Sequence, residues 1–78
     1  MIIEVKYIFP KSAVDSRAKP HQLEYFEAAA IPDNQLIEKK LTDLGLPFEK
    51  ETISISTSQS YRGAAESMRR SGIRVTKI

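Results

Sequence analysis

The chain contains no cysteine, which excludes disulfide staples and thiolate zinc sites and suits a reducing compartment. It has a single histidine, His21. With no clustered carboxylates beside it, no metal-binding set is expected. His21 is also the only imidazole that could serve a serine as base, and nothing in the sequence ties it to one. No apolar run approaches the roughly 20 residues that a bilayer span needs. The first ten residues, MIIEVKYIFP, lack a basic leader and are interrupted by Glu4 and Lys6, so no secretory signal is expected. There is no glycine-rich phosphate loop with its lysine, no internal repeat and no low-complexity tract. These absences lead to the expectation of a non-enzymatic protein without metal or cofactor, placed in the cytoplasm.

What is present is an ordinary globular composition, 41% hydrophobic and 28% charged over 78 residues. That length implies one domain, residues 1–78, with a modest core. The chain is organised around its last third, residues 52–78, which has the pattern of a strand, a helix and a second strand. Ile53 and Ile55 alternate with Thr52, Ser54 and Ser56, the period of a half-buried strand. Tyr61, Ala64, Ala65 and Met68 then recur at helical spacing, and a helix of about four turns is expected. Thr57 or Ser58 could cap its start. Arg69 and Arg70 suit the negative end of its dipole, and Gly72 its left-handed stop. Ile73 and Val75 begin the final strand. Such a unit is long enough for a right-handed parallel crossover.

Upstream, Ile3, Val5, Tyr7 and Phe9 share one face of a strand over residues 2–9, ended by Pro10. Residues 11–20 have the composition of a polar loop. Residues 21–30 (HQLEYFEAAA) fit either a helix, on the three alanines, or a strand pairing back on residues 2–9. The strand is preferred because it widens the sheet. Residues 32–44 spell a second helix: Asp33 or Asn34 as cap, Leu36, Ile37, Leu41 and Leu44 as the buried stripe, and Gly45 as terminator. The expected fold is α/β (α+β): a small two-layer sandwich with one sheet of three to four strands and two helices on one face. The order is β-β-α-β-α-β, or β-α-α-β-α-β if residues 21–30 are helical.

The opposite face is expected to be open and to carry Glu4, Lys6, Thr52, Ser54, Ser56, Arg74 and Thr76. Open sheets that bind single-stranded RNA present stacking aromatics there. Tyr7 and Phe9 share the other face, which excludes that mode. A helix-turn-helix is excluded too, since the helix before the last one ends at Gly45, too far upstream for the short turn.

Charge is unevenly placed. Of the net +2, the last 22 residues contribute +4, with Arg62, Arg69, Arg70, Arg74 and Lys77 against Glu66 alone, while the rest of the chain contributes −2. These five cations are the candidate partner- or nucleic-acid-binding residues, though they also suit a solvated helix face. The candidate anion-binding residues are Thr57, Ser58, Ser60 and Arg62. They stand where a strand's carboxyl end meets a helix start and hydroxyls and N–H groups could converge on a phosphate. The same serines also suit a plain helix cap. From size and surface, the expected role is a regulator, inhibitor or adaptor docking on a macromolecule, a protein before a nucleic acid. The alternatives are nucleic-acid binding through the basic C-terminal helix and strand, or binding of a small anion.

Overall fold

A computed structural model describes residues 1–10, 21–59 and 61–78. The expected loop at 11–20, and Ser60, lie outside the described residues.

The alternating N-terminal run forms β1 (Ile2–Ile8), and the ambiguous segment is a strand, β2 (His21–Glu27). The two pair antiparallel, Ile3 opposite Phe26 and Val5 opposite Glu24. Pairing overrides the helical preference of the alanines: Ala28 is tied to Met1 by reciprocal backbone bonds of 2.9 and 3.0 Å, and Ala29 and Ala30 fall beyond the strand. β3 (Ser54–Gln59) pairs antiparallel with the other side of β1, and β4 (Val75–Lys77) lies parallel to β2. The sheet order is β3-β1-β2-β4. Thr52, expected as the first residue of β3, instead ends a 3-10 turn over Lys50–Thr52. There the Thr52 hydroxyl accepts from the Ile8 N–H at 3.0 Å and donates to the Glu49 carbonyl at 2.6 Å.

Between β2 and β3 runs α1 (Asn34–Asp43). The Asp33 carboxylate accepts from the Leu36 N–H at 2.8 Å, which satisfies one of the unpaired donors of the first turn. At the other end the Gly45 N–H reaches the Thr42 carbonyl and the Leu46 N–H the Leu41 carbonyl, the paired bonds of a Schellman stop, with Gly45 at φ 73°. Asp33→Ala is expected to cost about 1 kcal/mol and lower the melting temperature by about 4–8 °C. A melt followed by circular dichroism checks this; an unchanged midpoint would mean that the cap carries no load.

The last helix is shorter than its sequence suggests. α2 (Ala64–Arg70) has two turns, not four. β3 continues to Gln59 because its backbone stays paired with β1 as far as Ile2, so Thr57 and Ser58 are strand residues and cap nothing. The N-cap is Gly63, at φ 88°, with no side-chain bond. Tyr61 leaves the expected buried stripe and is 56% exposed, while Ala64, Ala65 and Met68 remain buried. The stop at Gly72 is as expected: the Gly72 N–H donates to the Arg69 carbonyl and the Ile73 N–H to the Met68 carbonyl, both at 3.0 Å. Ile73 stays outside β4.

The α+β class, the four strands and the order β-β-α-β-α-β are as expected, but the one-sided sandwich is not what forms. Ile3, Val5, Tyr7 and Phe26 pack with Ile37 and Leu41 of α1, whereas Ile2, Val75 and Tyr25 pack with Ala64, Ala65 and Met68 of α2. Adjacent strand residues point to opposite faces, so each face of the sheet carries one helix. The physical reason is the direction of the crossovers. From β2 the chain crosses to β3 at one edge, and from β3 it returns to β4 at the other. Right-handed connections running in opposite directions must lie on opposite faces. The expected open face is divided accordingly. Glu4, Lys6, Ser54 and Ser56 lie on the α2 side, and Arg74 and Thr76 on the α1 side, beside Glu24 and Phe26.

Candidate functional site

The C-terminal cations do not form one surface. Arg69 donates to the Val75 carbonyl at 3.2 Å and stands 3.9 Å from Glu27. Arg70 donates to Glu66, one helical turn back, at 2.7 Å. Arg74 grips both oxygens of Glu24 at 3.2 and 3.1 Å. That pair lies on the α1 side of the sheet, with the Glu24 side chain mostly buried. Three of the five candidate cations therefore face carboxylates of their own chain. Arg62 and Lys77 make no ion pair among the described residues.

Nor do the candidate anion-binding residues converge. Thr57 and Ser58 are exposed on β3, well ahead of Ala64, where α2 begins. Arg62 alone stands near the helix start.

What the fold does assemble around Arg62 is a cleft of about 230 Å3 lined by Met1, Ile2, Glu27, Tyr61, Arg62, Gly63, Ala64 and Ala65. It lies where the carboxyl ends of β2 and β3 meet the first residues of β1 and of α2. Buried Ile2, Ala64 and Ala65 form its floor. Two small alanines leave space that larger side chains would fill. Met1 and Tyr61, 43% and 56% exposed, form apolar walls, and Arg62 and Glu27 place opposite charges at its margin. The Met1 ammonium donates one hydrogen bond to the Ala28 carbonyl at 2.9 Å.

Met1 and Glu27 escape a sequence reading, because only strand pairing brings them to Arg62. The glycine at 63 is the local clue that the chain turns there.

A second hollow, about 590 Å3, is broad and shallow, lined by Pro10, Thr42, Gly45, Leu46, Pro47 and Phe48, and carries no charge. Two tyrosines are electrostatically distinctive. Tyr7 is fully buried, and its hydroxyl has no hydrogen-bond partner among the described residues. Burial, reinforced by nearby Glu24 and partly offset by Arg74, pushes its pKa up from the ordinary value near 10 to about 12. Tyr25 is raised by burial and then by Glu4, opposite it on β1.

Among the described residues no group of three metal-ligating side chains comes together, and no helix is long and apolar enough to cross a membrane. No protein-family model, curated protein or solved structure matches the chain.

Proposed function

We propose that the chain is a small non-enzymatic binding protein that docks on a larger protein through the carboxyl end of its sheet, with the cleft at Tyr61 and Arg62 as its anchor. The observation that carries this reading is the composition of the cleft rim: an exposed tyrosine, an exposed methionine and an arginine with no carboxylate partner among the described residues, over an apolar floor. Tyrosine and arginine dominate the residues that carry interface energy, and methionine is also enriched there. Arg62 would pair with a partner carboxylate, and Tyr61 would cover an apolar side chain seated on Ala64 and Ala65. The nucleic-acid alternative is weakened by the intrachain pairing of Arg69, Arg70 and Arg74, which lowers the charge available to displace counterions.

The test is a pull-down with tagged protein from native extract, with and without nuclease and at two salt concentrations, beside a Tyr61→Ala/Arg62→Ala variant. Both residues are exposed, so the variant should melt like the parent. A protein band that survives nuclease and is weakened about 30-fold or more in the variant supports the reading. A band of equal strength in both, recovery lost with nuclease, or nothing above background overturns it.

A further inference from the structure

The outer edge of β3 is built differently from the opposite edge of the sheet. β4 is three residues long and ends in Lys77, the short, charged kind of edge that resists pairing with other chains. β3 has six residues, with neither charge nor proline. It falls within Thr52–Tyr61, ten consecutive uncharged residues in a chain where no other uncharged run exceeds five. Ser54, Ser56, Thr57 and Ser58 are all exposed, and none is large enough to obstruct an approaching strand. The pairing of Ile2 with Gln59 and of Ile3 with Thr57 leaves Ser58 as a bulge, which ends the regular part of the edge at Thr57.

The ends of the run differ in charge. Glu49, Lys50 and Glu51 precede it, net −1, and Arg62 follows it. An antiparallel approach of a second copy brings each arginine to the other's 49–51 segment, level with Lys50 and flanked by Glu49 and Glu51, net −1, whereas a parallel approach would set like ends together. We infer that β3 is a homodimerisation edge, joining two copies antiparallel about Ser56 into one continuous eight-stranded sheet. In that register Ser56 faces Ser56, and Ile55, partly buried on the α1 side, faces Thr57 of the second copy. Backbone bonds supply the attraction, and the Ser56 hydroxyl pair and the end charges set the register. An interface confined to one strand edge is small, so the dimer is expected to be weak and to form with rising concentration. This surface borders the Tyr61/Arg62 cleft and shares Arg62 with it, and the variants below change neither Arg62 nor the rest of the cleft.

Sedimentation equilibrium from micromolar to millimolar protein tests it, on the parent, Ser56→Lys, Ser56→Glu and an equimolar mixture of the two variants. Thermal melts establish that each variant is folded. The parent should move towards twice the monomer mass as concentration rises. Each variant alone should stay monomeric, because like charges then meet across the two-fold axis. The mixture should recover the dimer, since lysine then faces glutamate. A parent that stays monomeric throughout overturns the inference, as does a Ser56→Lys variant that dimerises like the parent or a mixture that fails to recover.

Discussion

Phe26→Ala is expected to lower the stability to unfolding by about 3–5 kcal/mol. Phe26 is completely buried, stands opposite Ile3 in the β1–β2 ladder and belongs to the cluster that seats Ile37 and Leu41 of α1. Truncating such a ring costs about 3–5 kcal/mol, part transfer and part cavity. A chain of 78 residues has a total stability of about 4–12 kcal/mol, so the loss removes a large share of it or all of it. Urea denaturation measures the loss directly. Leu23→Ala is the matched control. In the strand Leu23 points to the α2 side and is 48% exposed, so it should cost less than about 1 kcal/mol. If residues 21–30 were helical, Leu23 and Phe26 would share one buried stripe and both truncations would be severe. Equal, large losses at the two positions would therefore refute the β2 assignment.

The second large effect concerns Tyr7. A buried hydroxyl with no partner, as Tyr7 has none among the described residues, forfeits its hydration at a cost of about 1–3 kcal/mol, so Tyr7→Phe should raise stability at neutral pH by about 1 kcal/mol or more. The same site predicts a pH limb. The folded protein holds the phenol's proton up to about pH 12, whereas the unfolded chain releases it near 10. Between those values the folded state binds more protons, so stability falls as pH rises. It is unaffected by this group below pH 10, and the loss levels off above 12. The whole loss is about 2–3 kcal/mol. Tyr25 is shifted in the same direction and contributes in parent and variant alike. The informative quantity is thus the difference between Tyr7→Phe and the parent, measured by denaturant titration across that window. A difference that widens from pH 10 to 12 is expected; a constant one would show that the Tyr7 hydroxyl has access to solvent or to a partner.

The proposed site was partly legible before any tertiary information. Arg62 belongs to the basic C-terminal group. Tyr61 was legible only as a buried residue, because helical spacing with Ala64, Ala65 and Met68 is real, yet the helix starts after it. The five cations read as one basic region because the sequence shows which charges are near one another in the chain. It does not show that Glu24, fifty residues before Arg74, lies within hydrogen-bond reach of it.

What the sequence by itself determined are the features whose physics is local. The period-2 face of β1, the Asp33 cap and Gly45 stop of α1, and the Gly72 stop of α2 each depend on residues a few positions apart, and each forms as written. The tertiary structure alone decided the rest. Residues 21–27 became a strand because β1 offered them a hydrogen-bonding partner. β3 kept its pairing up to Gln59 and so took residues that helical spacing would have assigned to α2. The two helices went to opposite faces because the chain crosses the sheet in one direction and then in the other. A right-handed connection fixes the side of each helix only once the strand order is known, and strand order is not a local property of any segment.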